Sequence, residues 1–212
     1  MPDDEYADLV ARAYSLGAAQ ARLVPTSALV VERRVTLKCR FGCPDYGRSH
    51  SCPPRVPSVD EFRGVLAEYG AALVVAFPSR AGLRGGGASG RQRNRHGEDA
   101  EPAAKRQVEE FYREWEASKG VAFAALLELE KEAFNRGEPL ALALRPGRCT
   151  ICAECDVGQP CRHATRLRFS PEAVGVNLAA TCRRADMDVV FPFTANPSHV
   201  GILLLGGMRR EN

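Results

Sequence analysis

Seven of the eight cysteines stand in two compact groups, and thiolates at that density do chemistry chiefly by holding a metal. The second group, CTICAECDVGQPC, places Cys149, Cys152, Cys155 and Cys161 in a C-x2-C-x2-C-x5-C run. Cysteines at i, i+3 and i+6 do not pair easily as disulfides among themselves. They can wrap three corners of an iron–sulfur cube, with Cys161 at the fourth, so the run predicts a [4Fe–4S] cluster. Its last gap is longer than in the bacterial ferredoxin run, and Pro160 precedes Cys161 rather than following it, which suits four thiolates on one cubane. Zinc is the alternative, although structural zinc sites usually draw C-x2-C pairs from two separate arms.

The first group, CRFGCPDYGRSHSCPP, places Cys39, Cys43 and Cys52 in a C-x3-C-x8-C run. Three thiolates on a cubane leave one iron open, the arrangement that lets such a centre act on substrate. The spacing is not the C-x3-C-x2-C of radical enzymes that use S-adenosylmethionine. Cys182, His50 or an exogenous ligand could complete this site, and zinc or redox-active thiols are its alternatives. Cys182 follows Val174 and Leu178 at helical spacing, which also suits a small core residue. Arg148, Arg162, Arg166 and Arg168 flank the second group and Arg40, Arg48 and Arg55 the first. Such a setting favours an anionic cofactor, while surface ion pairing explains any single arginine equally well. His163 reads as a solvated or hydrogen-bonded histidine, and Tyr46 as packing on its loop.

The elements that must position these residues alternate in type. An amphipathic helix is expected from about Asp4 to Leu16, with Tyr6, Leu9 or Val10, Ala13 and Leu16 on one face and Gly17 as its stop. A strand is expected over Ala28 to Leu37, feeding the first cysteines. Ser58 and Glu61 form a capping box that opens a helix running to Gly70, and Ala71 to Phe77 is a buried strand. Arg80 to Glu101, rich in Gly and Arg, reads as a flexible loop that lacks the strand–Gly–helix context and Lys-Ser/Thr of a phosphate cradle. Pro102 to about Arg136 is helical, with Phe111, Trp115, Phe123, Leu126, Leu127 and Phe134 on or near one face and Gly120 as a candidate break. Leu140 to Leu144 is a strand leading into the second cysteines. A helix capped by Ser170 and Pro171 runs to about Arg184, and Asp188 to Phe193 and Val200 to Leu205 close the chain as strands. The expected fold is α+β, a mixed sheet of about five strands with packed helices and two cysteine-rich metal-binding loops at strand ends.

At 212 residues the chain suits one metal-binding domain, residues 1–212. The net charge of +3 does not by itself point to nucleic acid, and the basic stretch around Arg80, Arg84, Arg91, Arg93 and Arg95 lacks interleaved aromatics for stacking. Only Lys38, Lys105, Lys119 and Lys131 among 29 basic residues are lysines, a bias that points to a GC-rich bacterial genome rather than to a function. The acidic MPDDEYADL start is unlike a secretory signal, and no apolar run approaches the ~20 residues of a bilayer span. The expected place is therefore the cytoplasm, with no membrane, where clustered cysteines bind metal more often than they form disulfides.

Both cysteine groups lie in stretches that resemble a known group, the predicted metal-binding proteins of domain-of-unknown-function family 2284. The carrying stretches are KCRFGCPDYGRSHSCPPRVPSVDEF, EKEAFNRGEPLALALRPGRCTICAEC, PCRHATRLRFSPEAVGVNL and PSHVGILLL. The resemblance implies metal binding by Cys39, Cys43, Cys52, Cys149, Cys152, Cys155 and Cys161 and carries no established reaction. His50 and His163-Ala164 depart from its pattern, where an aromatic and a Phe-Pro often stand.

Thiolate density, without any nucleotide, flavin or hydrolytic signature, leads to one principal expectation. The chain is an iron–sulfur protein, with one or two [4Fe–4S] clusters, passing single electrons to a redox partner protein. The alternatives are an enzyme acting on a small anionic substrate at an open iron, and a zinc-stabilised binding module.

Overall fold

The computed structural model describes residues 6–79, 81, 102–189 and 197–206. Four strands, β1 (Gln20–Pro25), β2 (Ala71–Pro78), β3 (Leu142–Leu144) and β4 (Ser198–Leu205), form a sheet in the order β1-β2-β4-β3. Every pairing is antiparallel, with Leu73 opposite both Leu23 and Leu203, and Ala143 also opposite Leu203. The expected mixed, five-stranded sheet is thus corrected to four antiparallel strands among the described residues. A continuous apolar run says that a strand is covered on both faces; it does not say which way its neighbours run.

Strand periodicity divides β2 and β4 between two cores. Leu73, Val75, Phe77, Leu203 and Leu205 face one side, where α1 (Ala7–Ser15) contributes Leu9 and Ala13. The 34-residue α4 (Pro102–Asn135) contributes Ala122, Ala125, Leu126, Leu129 and Ala133 to the same core. Small alanines let α4 approach closely, and β4 meets them with Gly201, whose added Cβ would lie 2.2 Å from a Leu126 methyl. That stripe differs from the expected aromatic face: Phe134 is 60% exposed. Gly120 does not interrupt the helix, and Gly137, at φ +93°, follows its end. On the other side Ala72, Val74, Ala76, Ile202 and Leu204 meet α3 (Val59–Leu66) and α5 (Leu178–Arg184) through Phe62, Leu66, Leu178 and Cys182. The α3 capping box forms as its sequence dictates, with Ser58 N donating to Glu61 Oε2 at 2.7 Å.

Two segments depart from expectation, and both carry the cysteine region. Ala28 to Leu37 is not a strand. A 3-10 turn at Thr26–Ala28 precedes a single β-bridge, Val31 to Val176, and then α2 (Arg33–Gly42). The β-branched residues conceal the good helix propensity of Arg33, Arg34, Leu37, Lys38 and Arg40. No residue of α2 is fully buried, and ion pairs of Arg33 with Asp60 and Arg34 with Glu32 hold its start. Ser170 to Arg184 is likewise not one helix. A 3-10 turn (Glu172–Val174) ends at Gly175 in the left-handed conformation, and α5 begins afresh with Asn177 as N-cap. The break follows from pairing with the first segment: Asn177 N donates to Val30 O at 2.7 Å and Glu32 N to Gly175 O at 2.8 Å. Space beside Gly175 is also short, since an added Cβ would lie 2.9 Å from Val59 Cγ2.

The expected loop at Arg80–Glu101 falls outside the described residues apart from Ala81, as do residues 190–193 of the expected strand Asp188–Phe193, whose first two residues are not in a strand.

Candidate metal centre

Cys39 lies in the last turn of α2 and Cys43 is its C-cap, one helical turn further on. The first group therefore leaves a helix end and not, as expected, a strand end. From Cys43 to Arg55 the chain runs through successive turns: Arg48 N donates to Asp45 O at 3.0 Å, Cys52 N to Ser49 O at 3.2 Å and Arg55 N to Cys52 O at 3.0 Å. Ser49 and Ser51 point inward, buried, with their hydroxyls 3.0 Å apart. The second group follows β3 after four residues and has no regular secondary structure between Cys149 and Cys161.

The fold brings the two groups together. Cys149 N donates to Ser51 Oγ at 3.1 Å. Arg148 Nε reaches Asp45 Oδ2 at 3.2 Å. His50 Nε2 lies 3.1 Å from the carbonyl of Asp156 and 2.9 Å from that of Gln159. Two carbonyls can only accept, so Nε2 carries the proton and His50 clamps the second segment to the first. His50 therefore spends Nε2 on the clamp, which leaves Nδ1 as the ring nitrogen with a lone pair. Cys182 is separated from these thiols in a different way: it is fully buried in the core beside the sheet, where burial pushes its thiol up to about 11. The core reading of Cys182 is the one its position supports.

The remaining seven cysteines carry free thiols, Cys43 exposed and the other six half-buried. Burial, and after it the neighbouring Cys43, Glu172 and Cys52, push the Cys39 thiol up to about 11. Burial likewise raises Cys52, against hydrogen bonds from Ser51 and Ser49 that lower it. A metal at these positions must displace the thiol protons, so its binding depends on pH. Among the described residues, no group of three or more His, Cys, Asp or Glu side chains is gathered closely enough to hold a metal ion. The donor types suit a thiophilic metal and the segments are docked, but a closed ligand set is not formed.

Of the flanking arginines, Arg168 is taken up by Glu130, with Nε–Oε2 at 2.8 Å, and Arg148 by Asp45. Arg162 and Arg166 have no carboxylate partner among the described residues. The most consequential charged residue was not among those expected. Arg145, directly after β3, is completely buried, with Nε and Nη1 lacking hydrogen-bond partners. Its guanidinium carbon stands 4.1 Å from the centre of the Phe123 ring. Burial lowers its proton affinity, and Cys149, Glu116 and Cys52 act against that. A buried guanidinium with Nε and Nη1 unpartnered, hydrogen-bonded to Cys149 and within electrostatic reach of Cys52, suits an anionic, thiolate-bound group, and in that respect the residues fit one. The available sequence signal was a charge in the buried frame of LALALRP. Close by, Lys119 is 3% exposed and ion-paired with Glu116, and burial lowers its proton affinity as well.

A cavity of about 660 Å³ opens beside the first group, between α2 and residues 172–179. Its lining includes Val35, Lys38, Cys39, Cys43, Glu172 and Leu178. Glu172 Oε2 is buried without a partner, and burial raises this carboxyl.

The family model of predicted metal-binding proteins (DUF2284) matches residues 22–205, and the chain belongs to that family. The match takes in both cysteine groups, β2 to β4 and most of β1, leaving out α1. No curated protein and no solved structure matches the chain.

Proposed function

We propose that this member of the predicted metal-binding family is an iron–sulfur protein that exchanges single electrons with a partner enzyme. Cys149, Cys152, Cys155 and Cys161 hold one [4Fe–4S] cluster, and Cys39, Cys43 and Cys52 hold a second centre. The observation that carries the reading is the docking of segments 98 residues apart through Cys149 N and Ser51 Oγ, with His50 as a second clamp. A bound cluster supplies reversible one-electron transfer. The protein's part is to keep its thiols near the surface, where a partner can approach, and to hold both segments in one place. No helix among the described residues is long and apolar enough to cross a membrane, which is compatible with work in the cytoplasm.

The test is anaerobic purification followed by iron, zinc and acid-labile sulfide analysis with a visible spectrum. Four or eight irons with matching sulfide, and absorbance near ~400 nm that bleaches on reduction, are expected. A colourless protein with stoichiometric zinc would replace this reading with a zinc-stabilised binding module.

The cavity beside Cys39 and Cys43 favours a second reading, an enzyme whose first centre has an open position for a small anionic substrate. Lys38 is the cation in its lining without a carboxylate partner among the described residues, Arg34 being paired with Glu32, and Val35 and Leu178 supply apolar wall. This reading expects a small carboxylate such as butyrate to perturb the spectrum of one centre only, and the perturbation to vanish in Cys52→Ala.

A further inference from the structure

Arg145 is the largest fully buried side chain among the described residues, and it is an arginine without a carboxylate of its own. The guanidinium keeps its charge in any protein environment, so it cannot escape burial by losing a proton. Buried charges in folded proteins are paired or coordinated. The centre of the Phe123 ring, 4.1 Å from the guanidinium carbon, offers a cation–π contact and no carboxylate to pair with the charge. Glu116 is within electrostatic reach but is ion-paired with Lys119. What remains is Cys149 from the second segment, by hydrogen bond and charge, and Cys52 from the first, by charge alone, and Cys149 N is itself bonded to the serine preceding Cys52.

We propose that Arg145 is the charge-compensating residue of an anionic, thiolate-bound centre built where the two cysteine segments meet, so that the segments act as one electrostatic unit. This rests on the reading that the thiols carry a metal–sulfur centre. Arg145 is a positioning residue: it meets the negative charge of the ligand thiolates and ligates nothing. Two consequences follow. Reduction adds a negative charge that Arg145 stabilises, so its loss disfavours the reduced state. The metal-free protein keeps a buried charge with two unpartnered guanidinium nitrogens, and loading compensates it.

The experiment compares wild type, Arg145→Met and Arg145→Lys, each in the anaerobically loaded and the chelator-treated form, by redox titration and thermal melting. In loaded Arg145→Met the reduction equilibrium is expected to shift at least tenfold toward the oxidised state, about 59 mV for one electron. Arg145→Lys is expected to recover most of that shift. The metal-free Arg145→Met protein is expected to melt no lower than metal-free wild type, and to gain less on loading. Failure of Arg145→Met to load, with a wild-type melting point in its metal-free form, also supports the proposal. A potential within threefold of wild type overturns it. So does an equal loss of melting temperature in both forms, or a failure to fold in both, since these mark a role in packing alone. Where metal-free wild type itself does not fold, the redox titration decides. Absence of iron and sulfide from wild type would defeat the iron–sulfur reading; zinc loading then takes the place of iron in the melting comparison, which still reports whether Arg145 awaits an anion.

Discussion

The sheet with its two cores and the layer between the cysteine segments are built to different standards of completeness. In the sheet, β2 and β4 are buried on both faces and their buried apolar side chains pack into two cores, with Nδ1 of His199 an unpartnered buried polar atom there. In the cysteine layer, buried polar atoms remain without partners: Nε and Nη1 of Arg145 and Oε2 of Glu172. Except at His199, the first region is finished by the chain itself. The second holds charge that the chain does not balance, which is how a site awaiting a ligand differs from a core. The comparison also separates the cysteines: Cys182 belongs to the finished region, the other seven to the unfinished one.

The sharpest way to test this contrast is to damage the finished region. Leu203 is fully buried at the centre of the sheet, and Leu203→Ala is expected to cost about 2–5 kcal/mol. Denaturant titration should find the same loss in loaded and metal-free protein; a loss confined to one form would erase the distinction. A second measurement uses pH. His199, buried at the start of β4 with Nε2 2.9 Å from Ser118 Oγ, has its pKa lowered to about 4, chiefly by burial and then by Lys119. The unfolded chain takes up this proton near pH 6.5 and the folded protein only near 4, so stability is full above about pH 6.5 and falls toward pH 4. The slope is about 1.4 kcal/mol per pH unit. Replacing His199 with Phe should flatten that window, and an unchanged pH profile would move the acid sensitivity elsewhere.

Smaller effects follow. Gly201→Ala places a methyl against Leu126 and is expected to cost about 1–3 kcal/mol, again regardless of loading. His50→Ala removes the clamp on Asp156 and Gln159 and is expected to cost about 1 kcal/mol. Unlike the core variants, it should also speed the loss of metal to a chelator. Identical chelation rates in variant and wild type would show that the clamp does not serve the site.

Elements whose signals are local were legible in the sequence. The capping box of Ser58 and Glu61, the apolar run of β2 and the stop after α4 at Gly137 depend on residues within a few positions of one another. So does the grouping of seven cysteines, which with the neighbouring motifs suffices to place the chain in its metal-binding family. The strand expected at Ala28–Leu37 and the helix expected from Ser170 failed together because they settle each other: the Val31–Val176 bridge uses the residues that local propensity assigned elsewhere. The clamp made by His50 was not legible because its acceptors lie more than a hundred residues away. The burial of Arg145 was equally hidden, because Phe123 and Cys52 reach it from elsewhere in the chain. Residue types and short spacings are written along the chain and determine what chemistry is available. Which thiols share a face, which charges are enclosed and which partner each lacks are set by contacts between distant segments, and only the tertiary structure decides those.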